Sequence, residues 1–261
     1  IQMFEATGVA SFTGYTQTFA DAFLQNGQGA PATQLTDNGH DTAYGYGVAA
    51  GLWTGTETFS FGLSYQSKMS MSEFDKYADL FAQDGGFDIP STLKAGISFK
   101  AGDTARINLD IEQIGYSDVD SIHNPIMNLL TGCFTANPAV APETSGCLGG
   151  PNGGGFGWED MTVYKAGFEW QANDTNTWRV GYSYGEQPIP STEVLFNILA
   201  PGVMESHMTV GWTSERANGN VLSMSLMYAP KKTISGASTF DPTQTITLEM
   251  SQLELEFAYR F

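Results

Sequence analysis

The chain of 261 residues carries 11 lysines and arginines against 28 aspartates and glutamates, a net charge of −17, with 15% of residues charged and 13% aromatic. So little cationic surface argues against nucleic acid as a partner, and no window approaches the roughly 20 apolar residues of a transmembrane helix. The chain opens at Ile1 with neither an initiator Met nor a charged-then-apolar signal segment, so it reads as processed or truncated at its N-terminus.

From the N-terminus onward the dominant period is two. Weak alternation near residues 2–13 and 41–54 is followed by clear apolar faces at Phe59, Phe61, Leu63 and Tyr65, at Leu93, Ala95, Ile97 and Phe99, and at Ile107, Leu109 and Ile111. In "MTVYKAGFEWQ" the even positions Thr162, Tyr164, Ala166, Phe168 and Trp170 form one face. "NTWRVGYSYGE" repeats the pattern with Trp178, Val180, Tyr182 and Tyr184. A hairpin turning about Asp174 sets Trp170 opposite Trp178 and Glu169 opposite Arg179. Met208, Val210 and Trp212, then Leu222, Met224, Leu226 and Tyr228, and finally Leu253, Leu255, Phe257, Tyr259 and Phe261 complete about ten strands.

The connections alternate in length. Short turns lie at 54–57, 101–104, 172–176 and 217–220, and long loops at roughly 14–40, 71–88, 119–160, 187–204 and 235–244. Strands of about ten residues, apolar on one face, with short turns at one end and long loops at the other, predict an all-β, antiparallel up-and-down barrel in an outer membrane, a single domain over 1–261. Tyr164 and Tyr184 would mark one interfacial girdle, and Trp170, Trp178 and Trp212 the other. The ending Phe257, Tyr259, Phe261 resembles the C-terminal assembly signal of bacterial outer-membrane barrels, which makes the barrel-assembly machinery an expected partner. With Phe261 periplasmic, strand parity makes the short turns periplasmic and the long loops extracellular, and puts Ile1 on the periplasmic side.

The long loops carry both cysteines and three apolar runs. Cys133 and Cys147, in "TGCFTANPAVAPETSGCLGG", have no histidine nearby at metal-ligand spacing, which suggests a loop disulfide made in an oxidising compartment, with two free thiols as the alternative. The apolar runs are "EFDKYADLFA" with Phe74, Leu80 and Phe81, "NPIMNLLTG" with Met127, Leu129 and Leu130, and "VLFNILAPGV" with Val194, Leu195, Phe196, Ile198 and Leu199. In the third, Ser191 or Thr192 can cap a helix of about two turns whose stripe is Val194, Leu195, Ile198 and Leu199, stopped by Pro201-Gly202. These runs either pack on one another or form an apolar groove that captures a lipid-like molecule at the barrel mouth.

The segments "TDNGHDTAYGYGVAAG", "YQSKMSMSEFDKYADLF", "FDIPS", "IEQIGYSDVDSI", "GFGWEDMTVYKAGFEW" and "YSYGEQPIPSTEVLFNILAPGV" together resemble the FadL-type outer-membrane transport family, from about residue 36 to Phe261. The resemblance implies a Gram-negative outer-membrane protein that passes long-chain fatty acids or similar hydrophobic molecules without performing chemistry, embedded among outer-membrane lipid and lipopolysaccharide. It also implies a barrel of 14 strands with an N-terminal hatch, of which this chain shows the C-terminal portion, starting at the family's fifth strand.

A fatty acid carboxylate calls for a cation inside the barrel. Arg106, Lys165, Arg179, Lys94 and Lys100 share the inward phase. Lys165, opposite Ser183, is the best head-group candidate, while Arg179 is committed to Glu169; the alternative for Lys165 is an ion-pair ladder with acids such as Glu112. His40, His123 and His207 raise a surface-hydrolase reading, but no Ser/His/Asp spacing supports it. The acids in "EFDKYADLFAQDGGFD" do not follow a calcium loop, so no metal or cofactor is expected. A general diffusion porin is the remaining rival.

Overall fold

The computed structural model describes residues 1–133 and 144–261; residues 134–143 of the cysteine loop lie outside this description. Nine strands form one antiparallel sheet in chain order: β1 Ala49–Gly55, β2 Phe59–Gln66, β3 Ser91–Lys100, β4 Ala105–Gly115, β5 Met161–Asn173, β6 Asn176–Gly185, β7 Ser206–Glu215, β8 Val221–Ala237 and β9 Thr245–Arg260. The sheet is an open segment of barrel wall with β1 and β9 at its edges.

Cross-strand register follows the period-two reading. Trp170 faces Trp178, which faces Trp212, and that row continues through Met224 to Phe257. Tyr164 faces Tyr184 toward the other end. Between these rows lie Phe168, Val180, Val210, Leu226 and Leu255, each directly opposite its neighbour and all solvent-accessible. A broad, uncovered apolar face bounded by aromatic rows suits hydrocarbon and not water. Among the described residues no helix is long and apolar enough to cross a membrane.

The short turns are closed locally. Asn173 Oδ1 accepts from the backbone N–H groups of Thr175 and Asn176, and Gly219, at φ 84°, makes the left-handed turn before β8.

Ten strands were expected and nine are in the sheet. The segment 2–13 contributes only Gln2–Phe4, which pairs with Asp41–Ala43 in a separate two-stranded ribbon. Gly8, at φ 80°, then breaks the extended run, and a 3-10 helix, Ala10–Tyr15, leads into α1, Gln17–Asn26. Thr16 caps α1 by accepting from Phe19 N–H at 3.2 Å, and Gly27 at φ 73° ends it. An odd number of sheet strands also overturns the expected side of the N-terminus. β1 starts at the loop end, so residues 1–48 belong with the extracellular loops, where Phe4 packs on Phe74, Tyr77 and Phe81.

That N-terminal arm and the long loops share a core of their own above the sheet. Val9, Leu35, Phe74, Tyr77, Leu80, Phe81, Ile126, Leu129, Leu148, Phe156 and Phe196 are buried together. All three apolar runs therefore meet. Cys133 and Cys147 are bonded and lie against Ala20 of α1. The paired upper parts of β8 and β9 lean over this dome after an irregularity between Ala229 and Lys232, packing Ile234, Ile246 and Leu248 on Ile189, Val194 and Val203.

Candidate functional site

The inner face of the sheet carries a charge ladder. Glu112 on β4 accepts from Lys94 Nζ at 2.8 Å and Lys165 Nζ at 2.7 Å, one carboxylate oxygen each. Lys165 is thus paired on its β4 side and not left to Ser183, its register partner on β6. Arg179 Nε meets Glu169 at 2.7 Å and its Nη1 reaches Thr213 at 3.0 Å. Arg106 reaches Ser98 at 3.0 Å. The wall is polar and laced with ion pairs, as a barrel interior is.

Just beyond β4, Tyr116 stands edge-on to Trp158, ring centroids 5.0 Å apart. Burial, and then the Glu112 charge, hold its phenol above the usual range, so it stays protonated at neutral pH.

The dome holds a partly open apolar cavity of about 240 Å³. The N-terminal arm supplies Phe4, Ala6 and Val9, with Glu5 and Thr7 at the margin; the 71–88 loop supplies Leu80, Phe81 and Phe87. Phe156 comes from the end of the 119–160 loop, and Phe196, Leu199 and Ala200 from the 187–204 loop. The aromatic rings are in mutual contact. Phe4–Phe81 and Phe81–Phe87 centroids lie 4.8 and 4.7 Å apart, and Phe156 stacks on Phe196 at 5.3 Å with 22° between the planes.

Of the residues singled out from the loop runs, Leu80, Phe81, Phe196 and Leu199 line the cavity. Phe74, Leu129 and Val194 are buried in packing instead, and Met127, Leu130 and Ile198 are exposed. Leu195 is half-buried and outside the lining. The two-turn helix expected over the third run is only a 3-10 turn, Phe196–Ile198, with no side-chain cap. Its buried residues are Phe196 and Asn197, while the expected stripe members Ile198 and Leu199 are both exposed, Leu199 at the rim of the cavity. The reason is Asn197, fully buried, whose Oδ1 accepts from Trp158 Nε1–H at 2.6 Å. Its Nδ2 donates to Phe156 O at 2.7 Å and Glu193 O at 2.8 Å. Tertiary bonds to this amide override the helical period.

Phe87 and Phe156 escaped the sequence reading. Each is a lone aromatic among glycines, in "GGF" and "GGGFG", a signal that periodicity does not register. The histidines are scattered. His40 Nδ1 lies 2.9 Å from Glu5, His123 bonds Trp158 O at 2.8 Å, and His207 is 3.5 Å from Ser183. Among the described residues no group of His, Cys, Asp and Glu could hold a metal ion.

A family model described as outer membrane protein transport protein (OMPP1/FadL/TodX) matches residues 8–215. Among solved structures, the P. putida toluene transporter TodX is similar at 18% identity and a TM-score of 0.52, over 85% of this chain and 50% of that one. A TodX deltaS2S3 mutant, described as a monoaromatic hydrocarbon channel, gives 20% identity and 0.54, over 83% and 50%. The Ralstonia pickettii toluene transporter TbuX gives 15% and 0.49, over 99% and 58%. The TodX likenesses show a shared fold, and the chain spans about half the length of those structures. No curated protein matches the chain.

Proposed function

Because the chain belongs to the OMPP1/FadL/TodX family of outer membrane transport proteins, we propose that it takes part in passive uptake of hydrophobic molecules and captures them in the cavity of its extracellular dome. That partly open, aromatic-lined cavity of about 240 Å³ is the observation that carries the reading. A dry cavity of about 150 Å³ lined by apolar side chains accommodates benzene, so the volume here suits one aromatic ring with a short substituent. A long-chain fatty acid would lodge only part of its length and trail into solvent or the lumen. Toluene, the cargo that names the TodX transporter, is of the right size.

Affinity would come from apolar burial, about 0.8 kcal/mol per methylene equivalent. At Glu112 one carboxylate pairs with both Lys94 and Lys165, so each lysine there already has an acidic partner. Movement onward requires a closed wall, since bilayer hydrocarbon cannot satisfy the free backbone groups of β1 and β9. The C-terminal Phe257, Tyr259 and Phe261 serve recognition by the barrel-assembly machinery, and the Tyr164–Tyr184 row would meet the lipopolysaccharide interface.

The test is equilibrium binding of labelled toluene and labelled palmitate to protein purified from outer membranes in detergent. Wild type is expected to bind toluene saturably, and Leu199→Asn, which places an amide on the cavity wall from a half-exposed position, to weaken it. Unchanged toluene binding in Leu199→Asn, or none in wild type, rules out capture in this cavity.

A further inference from the structure

We propose that Asn197 is a positioning residue that sets the size selectivity of the dome cavity, by holding the Phe156 and Phe196 rings together as one wall. This rests on the capture reading above. The two phenylalanines belong to different loops and stack at 5.3 Å. Ring stacking alone is weak and slides easily, contributing about 0.5–1.5 kcal/mol. What spans the two loops beside the stack is the Asn197 amide, next to Phe196 in the chain, which donates to Phe156 O at 2.7 Å and accepts from Trp158 Nε1–H at 2.6 Å.

The amide is itself braced. Its second N–H donates to Glu193 O at 2.8 Å, and the Glu193 carboxylate accepts from Ile126 N–H at 2.8 Å. Both Asn197 and Glu193 are buried, and Gly157 lacks the side chain that would occupy the space Glu193 fills. The segments 156–158 and 193–197 thus meet at one amide directly behind the wall, and Ile126 is tied in through Glu193. Buried polar groups with every bond made define one geometry, because any displacement leaves a donor or acceptor unpaired in a dry interior.

Without these bonds the stack is free to part and the cavity to widen. A compact ring then loses contacts on one side, since a gap of 0.5–1 Å already forfeits a quarter to a half of a dispersion contact. A longer hydrophobe fills the added space. The position therefore governs the ratio of affinities, and a merely structural role would lower both together.

The experiment measures toluene and palmitate binding to wild type, Asn197→Leu and Asn197→Asp, with heat-modifiable gel migration reporting the folded barrel. Asn197→Leu is near in volume and removes every bond. Asn197→Asp keeps the acceptor for Trp158 but loses the donor to Phe156, so it remains informative if the leucine variant does not fold. In each folded variant the toluene-to-palmitate affinity ratio is expected to drop by about tenfold. A wild-type ratio in a folded variant overturns the proposal, whether the two affinities fall in parallel or stay put. Wild type that binds neither probe removes the capture reading itself, and the assignment of Asn197 with it.

Discussion

Lys165 turns to Glu112 on β4, Nζ to Oε2 at 2.7 Å, and not to Ser183, which faces it in register on β6. Glu112 also accepts from Lys94, so one carboxylate with little solvent access sits between two ammonium groups that remain about half exposed. Glu112→Gln leaves the two cations side by side. Their solvent access limits the cost to roughly 1 kcal/mol or less. Denaturant unfolding from lipid vesicles should show this loss at low salt and a smaller one at 1 M salt, where the Debye length is about 3 Å. A loss that does not respond to salt would mean that the ladder matters through packing and not charge.

The ladder with Glu112, the alternative reading for Lys165, is the arrangement found, but the register that produces it was not legible in the sequence. The hairpin partners Trp170–Trp178 and Glu169–Arg179 were legible because a short turn fixes the register of the two strands it joins. Each inward side chain has a second neighbour, on the strand across a long loop, and nothing local specifies that register. Asp110, not Glu112, faces Lys165 there, and the ion pair runs diagonally. The dome was less legible still. Its apolar runs were visible as material for a core, but the N-terminal arm carries too few alternations to separate a strand from Phe4, Val9 and Phe12 reaching into a cluster. The third run reads as a helix only until the bonds that Asn197 makes to Trp158 and Phe156, about 40 residues away, are counted.

The two faces of β8 should respond differently to the same charge. Leu226 lies between the tryptophan and tyrosine rows on the apolar face, and Ser225 beside it points inward and donates to Glu256 at 3.0 Å. Leu226→Arg is expected to destabilise the inserted protein by about 2–4 kcal/mol. Ser225→Arg, able to pair with Glu256, should be near neutral. Equal effects in vesicle unfolding would mean that the apolar face does not meet lipid.

The Cys133–Cys147 bond secures the N-terminal arm as well as its own loop. Leu148, next to Cys147, donates its N–H to Tyr15 O at 2.9 Å and accepts from Gln17 N–H at 2.9 Å, and Ala20 packs on both cysteines. A bridge closing a loop of about 15 residues contributes about 3 kcal/mol in the chain-entropy account. A Cys133→Ser, Cys147→Ser double variant should keep its sheet, read by heat-modifiable migration, while limited proteolysis within residues 9–26 accelerates about tenfold or more. Unaltered cleavage there would show that the arm is held without the bridge.

Gly157 offers a test of the dome at a single atom. Its φ of 66° lies in the left-handed region, and a Cβ there would overlap the Glu193 side chain. Alanine incurs about 1–2 kcal/mol for the backbone conformation, and it also displaces the carboxylate from Ile126 N–H. The nearest atoms to that Cβ all belong to Glu193, so the first effect falls on this brace. Gly157→Ala is expected to leave heat-modifiable folding intact, raise hydrogen exchange at Ile126, and weaken toluene binding severalfold. If exchange rises but binding holds, the Glu193 brace supports only the 124–132 loop and the cavity wall is set elsewhere.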